Sequence, residues 1–101
     1  MRILQYRVTG QNLSKVESHS GLVRGSKGYL KCRFTFDDDW HGLKKVAIFR
    51  TSDGKKYMPI VGGFADVPDA VTVKEKFYVS VIGQSDDQTI TTGEITERQD
   101  G

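Results

Sequence analysis

Residues 29–49 have the sequence Tyr29-Leu-Lys-Cys-Arg-Phe-Thr-Phe-Asp-Asp-Asp-Trp-His-Gly-Leu-Lys-Lys-Val-Ala-Ile-Phe49, and they indicate the fold most clearly. In the first part every second residue is apolar, namely Leu30, Cys32, Phe34 and Phe36. This period of two is typical of a strand that buries one face. An acidic turn with the only tryptophan, Trp40, then leads into a short apolar segment, Lys45–Arg50. We therefore predict two strands that meet at a corner of an all-β domain.

Further strands are predicted on both sides of this corner. The turn Ser52-Asp53-Gly54 can start a hairpin, because glycine accepts positive φ. The other predicted strands are Arg2–Thr9, Lys55–Ile60, Phe64–Val67, Phe77–Ile82 and Gln88–Glu97. Between the first two strands lies a long polar connection, Gln11–Gly28, in which Leu13, Val16, Leu22 and Val23 leave room for a short strand or turn. Val67-Pro68-Asp69 is predicted to be a turn, and the polar tail Arg98–Gly101 is predicted to fray. About seven short strands separated by turns predict two packed antiparallel sheets, with a small β-barrel as the alternative.

Length and composition limit the classes of function. At 101 residues we expect one domain, residues 1–101, with a single modest core. The 15 basic and 13 acidic residues leave a net charge of +2, which does not favour nucleic-acid binding. The single Cys32 excludes an intrachain disulfide and favours a reducing cytoplasm. No apolar run has the length of a signal peptide or a membrane span, so we expect no membrane partner.

The acidic turn invites a metal interpretation. Asp37–Asp39, followed by His41 and Gly42, has some features of the opening of a calcium-binding EF-hand loop. However, Ile48 stands where that loop needs a bidentate glutamate, and both flanks are predicted strands. We therefore predict a solvated turn in which aspartate side chains bond nearby backbone amides, and no metal site.

Other residues with reactive or binding side chains are assigned to structure. Trp40 is predicted to close the end of a β core, although an exposed tryptophan is also a platform for sugar rings. Cys32 lies on the apolar face of its strand and is predicted to be a small core residue rather than a nucleophile. His19 and His41 are two separate histidines in polar loops, too few for a zinc site. We expect neither a cofactor nor enzyme activity, since no base–nucleophile pair is evident.

Positively charged residues cluster in the middle of the chain. They are Arg24, Lys27, Lys31, Arg33, Lys44, Lys45, Arg50, Lys55 and Lys56, with Tyr29, Tyr57 and Tyr78 among them. If the outward residues of the central strands align, they form a basic face with aromatic rings, which suits single-stranded nucleic acid or an acidic protein surface. We favour the alternative that the lysines keep edge strands soluble and unpaired.

The order of these segments resembles a known group of proteins. The segments are Tyr6–Gly10, Val23–Gly28, the motif Phe34-Thr-Phe36-Asp-Asp-Asp-Trp40-x-Gly42-Leu43-x-Lys45-x-Ala47-x-Phe49, Val67-Pro68-Asp69, Phe77–Gly83 and Ile90-Thr-Thr92. Together they resemble small β-sandwich modules in virion proteins of tailed phages and prophages that infect Gram-positive bacteria. The resemblance covers nearly the whole chain and is most specific in the motif from Phe34 to Phe49.

The resemblance implies an Ig-like antiparallel β-sandwich that serves as a non-enzymatic structural or attachment module. Its structural signature is Phe34, Phe36, Trp40, Ala47 and Phe49. The expected protein is a capsid decoration, a head-fibre or a baseplate or tail accessory protein, free-standing or a fragment of a longer fibre. It is expected to be made in the host cytoplasm, to reside in the virion, and to bind capsid or tail proteins or a second copy as a homo-oligomer. The resemblance transfers no catalytic residue.

Two alternative functions remain open. The first is a small phage-encoded inhibitor or regulator that binds a host protein or a nucleic-acid enzyme through its charged surface. The second is a carbohydrate-binding module for cell-wall polysaccharide, which requires an exposed aromatic ring such as Tyr57, Tyr78 or Trp40.

Overall fold

The structure, a computed structural model, describes residues 1–101 and has 54% of them in strands and 7% in helices. The nine strands are β1 (Arg2–Thr9), β2 (Asn12–Lys15), β3 (Leu30–Phe36), β4 (Lys44–Thr51), β5 (Gly54–Pro59), β6 (Phe64–Asp66), β7 (Lys76–Gln84), β8 (Thr89–Thr91) and β9 (Ile95–Arg98). A 3₁₀ turn, Asp38–Trp40, precedes β4, and a one-turn helix, α1 (Asp69–Thr72), precedes β7. None of these helices is long and apolar enough to span a membrane.

The strands form two sheets. Sheet 1 has the order β2-β1-β3-β6, and sheet 2 has the order β5-β4-β7-β8, with β9 also paired to β7. The sheets are mainly antiparallel and do not close into a barrel, so the prediction of an all-β sandwich is confirmed. The structure has nine strands rather than about seven, because β2 forms within the polar connection and the last predicted strand is divided.

One strand pair departs from the predicted antiparallel arrangement. β1 and β3 lie parallel, with Leu4 opposite Cys32 and Tyr6 opposite Phe34. A parallel pair needs a long connection, because the chain must return to the end at which it started. The segment between β2 and β3 provides that length, and this explains why the polar connection is so long.

The predicted strand Gln88–Glu97 is divided into β8 and β9. β8 pairs with the end of β7, whereas β9 pairs with its beginning. Between them the Thr92 Oγ1 accepts a hydrogen bond of 3.0 Å from the Val81 N–H, so a side-chain oxygen replaces a ladder carbonyl there. The chain leaves the ladder at this point and rejoins β7 farther along.

The C-terminal tail is held in place, so the prediction that Arg98–Gly101 frays is wrong. The Gln99 N–H donates to the Glu75 carbonyl at 2.7 Å, and its side chain is 5% exposed. The Asp100 N–H donates to the Leu22 carbonyl at 2.8 Å. The predicted turn at Val67-Pro68-Asp69 continues into α1. The Gln99 side-chain amide donates to the carbonyls of Thr72, at the end of α1, and of Lys74, just after it.

The core lies between the two sheets. It contains 18 buried apolar residues, which come mainly from the inward positions of β1, β3, β4 and β7. Alternation along each strand therefore sends one set of side chains inward and leaves the other set on an outer face. The two outer faces point in opposite directions, so charged side chains on one face are separated from those on the other.

Candidate functional site

The signature residues lie in or against the core. Phe34, Trp40, Ala47 and Phe49 are buried, and Phe36 is half-buried. The rings of Tyr6, Phe34, Phe36 and Trp40 form a continuous row, with successive centroids 5.2, 6.2 and 5.3 Å apart. These residues hold the sheets together and present little surface to a ligand.

Trp40 is enclosed on every side. It is 0% exposed, and its Nε1–H donates a 2.8 Å hydrogen bond to the Gly10 carbonyl. Its ring fills the space that a side chain at position 83 would occupy, since a Cβ on Gly83 would lie 2.7 Å from the Trp40 Cζ3. No face of the ring is open to a sugar.

The acidic turn is held together by its own first aspartate. One Asp37 oxygen accepts a 3.1 Å hydrogen bond from the Asp39 N–H, and the other accepts a 2.8 Å bond from the Gly10 N–H. Asp37 therefore caps the 3₁₀ turn and ties it to the hairpin between β1 and β2.

A buried polar cluster joins the two sheets, and we call it the Glu97 cluster. It consists of Glu97 on β9, Tyr6 on β1, Lys15 on β2 and His19 in the connection between β2 and β3. The Tyr6 hydroxyl donates to Glu97 Oε2, and His19 Nδ1 lies 2.5 Å from the same oxygen. Lys15 Nζ lies 3.2 Å from Oε1, which accepts no directional hydrogen bond. His19 Nε2 lies 3.2 Å from the Gln5 carbonyl, so both ring nitrogens face oxygen acceptors.

The surroundings of the Glu97 cluster shift several pKa values. Burial favours the neutral acid, but the hydrogen bonds from His19 and Tyr6 and the nearby cations outweigh it and lower the pKa of Glu97. Burial first, and then the neighbouring Cys32 and Glu97, raise the pKa of Tyr6. Burial and the negative charge of Glu97 raise the pKa of the Cys32 thiol, so it stays protonated and unreactive.

Sequence reasoning missed the Glu97 cluster. It treated His19 as a loop residue, whereas the structure leaves that histidine 9% exposed. The sequence contained one sign of this cluster. Ile95 and Glu97 lie on the same face of β9, so Glu97 takes an inward position, and a carboxylate at an inward position requires buried partners. No pattern in the sequence identifies His19 as that partner, because the two residues are 78 positions apart. The cluster is closed and fastens the fold.

The basic face that aligned central strands would give, the interpretation we did not favour, does not form as one surface. Lys31 and Arg33 lie on the outer face of sheet 1, each 5.8 Å from the Phe64 ring. Lys44 and Arg50 occupy outward positions on β4, and Lys55, opposite Arg50, does so on β5. Because the two outer faces point in opposite directions, the cations divide into separate groups. Lys45 stacks over Phe36, 5.3 Å from its centroid, and belongs to neither group.

The outer face of sheet 2 carries the most unusual surface of the molecule. Its centre consists of the apolar residues Val46, Ile48, Tyr57, Tyr78 and Ile82, with Ser80 among them opposite Ile48. None of these side chains packs against the core, and Tyr57 is 61% exposed. Its cationic rim consists of Lys44, Lys55, Lys76 and Arg98, none of which forms an ion pair. An apolar centre within a charged rim is the anatomy of a protein–protein interface.

Arg50 and Glu94 form an ordered pair on this face. Arg50 Nε and Nη2 each donate a 2.8 Å hydrogen bond to a Glu94 oxygen, which lowers the pKa of that carboxyl. The guanidinium lies 4.2 Å from the Tyr78 centroid and covers the ring. The face thus contains one carboxylate, which is already engaged.

The strand edges are less suited to binding than this face. β5 carries Lys55, Lys56 and Pro59, and these residue types discourage the addition of another strand. The edge strands of sheet 1, β2 and β6, have only 4 and 3 residues. The outer face of sheet 2 is therefore the candidate functional site.

Comparison of the chain with known protein families, with curated proteins and with solved structures found no match.

Proposed function

We propose that this protein is a non-enzymatic structural or attachment module that binds protein partners through the outer face of sheet 2. The setting we propose is a phage particle, in which the protein acts as a capsid decoration, head-fibre or baseplate accessory protein. The observation that carries the proposal is the row of branched aliphatic side chains at outward positions of two central strands.

The contrast between the two outer faces supports this proposal. The outward residues of β1 after Ile3 are Gln5, Arg7 and Thr9, as expected of a sheet face that meets water. The outward residues in the middle of β4 are Val46 and Ile48, and β7 adds Ile82. Covering such residues stabilises a complex by roughly 25 cal/mol per Å² of apolar surface buried. A partner on sheet 2 gains this term. On sheet 1 the outward apolar side chains of the strands are Ile3 and Phe64, and Lys31 and Arg33 lie over the Phe64 ring.

The virion setting is supported by the resemblance of the motif from Phe34 to Phe49 to phage sandwich modules. Because those residues form the core, the motif accounts for the fold of the module and leaves its outer surfaces free to differ. Contacts with a capsid or tail protein are therefore assigned to the outer face of sheet 2 and not to the motif itself.

Purified particles of the phage whose genome encodes this chain provide the test. We expect mass spectrometry to find the protein in them, and we expect an Ile48→Thr, Ile82→Thr variant to be incorporated at least about tenfold less, a loss of about 1.4 kcal/mol. The control is Ile3→Thr, a single change of the same type on the outer face of sheet 1, which should be incorporated normally. The thermal midpoints of both variants should stay close to that of the wild type, since these side chains lie outside the core. Particles that lack the wild-type protein would overturn the proposal.

A further inference from the structure

We infer that the partner on the outer face of sheet 2 is a different protein, whose docking surface is apolar at its centre and acidic at its rim. The inference rests on the proposed function and adds to it the chemistry of the partner. The face has three possible occupants, namely a second copy of this chain, a nucleic acid and another protein.

The charge of the rim sets the first requirement. Lys44, Lys55, Lys76 and Arg98 have no carboxylate partner, and the Glu94 on this face is bonded to Arg50. A docked surface that brings carboxylates to these positions gains charge-assisted hydrogen bonds, and a neutral or basic one does not. The complementary partner therefore carries Asp or Glu around its contact patch.

A second copy does not meet this requirement when the two faces are packed together. In a two-fold symmetric dimer the same patch contacts itself, so the cationic rim of one chain lies against the cationic rim of the other. Like charges brought together at an interface cost several kcal/mol. The pairing of Arg50 with Glu94 within each chain leaves no free carboxylate on the face to compensate.

A head-to-tail contact between copies fails for a different reason. This chain has carboxylates at both ends of its sheets: Asp37–Asp39 and Asp86–Asp87 where β4 begins, and Asp53, Asp69, Glu75 and Asp100 where β4 ends. At the first end the large apolar residues, Trp40 and Leu43, are buried. At the second end Asp53 is paired with Lys74 and Asp69 accepts a hydrogen bond from the Gly28 N–H. The exposed apolar side chains there, Val23 and Val73, are too few to cover the apolar centre.

Nucleic acid is disfavoured by the centre of the face. Stacking of bases requires open aromatic rings between cations. Arg50 already covers the Tyr78 ring, which leaves Tyr57 as the one open ring. The rest of the centre is Val46, Ile48, Ile82 and the small Ser80, and the three aliphatic side chains suit an apolar protein surface.

The size of the face is adequate for a protein contact. With strands about 4.8 Å apart and residues about 3.4 Å apart, four strands and the length of β4 span an area of about 500 Å² before side-chain relief is counted. A specific interface buries about 800 Å² on each partner. The face supplies most of one side of such an interface.

Carbodiimide cross-linking of intact particles tests the inference, because this reagent joins a lysine amine to a carboxylate that touches it. We expect amide links from Lys44, Lys55 or Lys76 to Asp or Glu residues of another particle protein. A Lys44→Arg, Lys76→Arg variant keeps the charge but lacks two amines, so it should bind normally and lose the links at those positions. Links from these lysines to a second copy of this chain would overturn the inference, as would links confined to Lys31.

Charge reversal gives an independent measurement with particles assembled without this protein. Lys44→Glu with Lys76→Glu should reduce binding of the added protein at least about tenfold. Lys27→Glu with Arg33→Glu, which changes the net charge equally but lies elsewhere, should not. If the wild type fails to bind, the proposed function is wrong. If it binds and reversal of the rim has no effect, or if oligo(dT) competes for the face, only the inference about the partner is wrong.

Discussion

Trp40 fits into the core because Gly83, opposite its ring, has no side chain. Gly83 lies on an inward position of β7 and has an ordinary strand conformation, so glycine is not needed there for backbone reasons. A Cβ at this position would lie 2.7 and 2.8 Å from two carbons of the indole and 3.0 Å from Leu43. The glycine is required by packing alone.

Gly83→Ala should therefore destabilise the protein. Overpacking of a well-filled core typically costs about 1–3 kcal/mol. Gly93→Ala is the matched control, because a Cβ there meets no atom within 4 Å and its φ is not positive. It should be neutral or stabilising by up to about 1 kcal/mol. Urea denaturation measures the stability of both variants. Equal urea midpoints for Gly83→Ala and Gly93→Ala would contradict the packing argument.

Glu97 is the residue whose titration matters most for stability. Its pKa is lowered in the folded state, because hydrogen bonds from His19 and Tyr6 and the nearby cations outweigh the effect of burial. A carboxyl with a lowered folded-state pKa stabilises the protein above its unfolded-state pKa of 4.5. This stabilisation is lost as the pH falls through the folded-state value.

Glu97→Gln should make stability less dependent on pH in acid. Between about pH 5 and pH 3, the free energy of unfolding of the wild type should fall more steeply than that of the variant, by up to about 1.4 kcal/mol per pH unit. Glu75→Gln, at an exposed carboxylate without an ion pair, is the control and should run parallel to the wild type. Parallel curves for Glu97→Gln and the wild type would show that folding does not lower the pKa of Glu97.

At the level of elements, the C-terminal segment links β9 of sheet 2 to the long connection between β2 and β3. Beyond β9, the Asp100 carbonyl accepts a hydrogen bond of 2.9 Å from the Arg24 N–H, and the Asp100 N–H bonds the connection at Leu22. The tail thus holds the long connection that allows β1 and β3 to lie parallel. Local composition suggested fraying because Arg98–Gly101 is polar, but polar backbone is ordered wherever its amides find acceptors.

Hydrogen exchange should detect this order. We expect the amides of Arg24, Gln99 and Asp100 to exchange slowly, because each donates to a carbonyl in another segment. The amides of Ser18 and Lys27 are suitable controls, since neither donates to a protein acceptor. Rapid exchange of the first three amides, at the rate of the controls, would show that the tail frays as the composition suggested.

At the scale of the whole molecule, the reactivity of the Cys32 thiol indicates whether the two sheets have separated. Its side chain is 0% exposed, and burial and the Glu97 charge raise the pKa of the thiol. Both effects protect the thiol until the sandwich opens. Local fluctuation of a loop is not sufficient to expose it, because β3 lies between β1 and β6 within sheet 1.

Labelling of Cys32 by a thiol reagent should therefore require global unfolding. We expect native protein to react at least about a thousandfold more slowly than unfolded protein, the factor that corresponds to a marginally stable domain. A Thr35→Cys variant provides the control, because this outward position on the same strand is exposed and should label at once. Rapid labelling of the native wild type would indicate that sheet 1 opens locally.

The candidate site was only partly predictable. The cations Lys44, Arg50 and Lys55 and the rings Tyr57 and Tyr78 stand out in the sequence, but they could not be separated from Lys31 and Arg33 on the opposite face. The segment Lys45–Arg50 is nearly all apolar, so alternation does not show which of its residues point outward. That Val46 and Ile48 lie outside the core follows from the pairing of β4 with β7.

The sequence by itself determined most of the strands and the sandwich class. Alternation with a period of two is a local property, and burial of one face of each strand follows directly from it in Arg2–Thr9 and Tyr29–Phe36. Only the tertiary structure decided the parallel pairing of β1 and β3, the meeting of His19 with Glu97, the fit of Trp40 against Gly83, and the division of the cations between two faces. These depend on contacts between residues far apart in the chain, for which local periodicity carries no information.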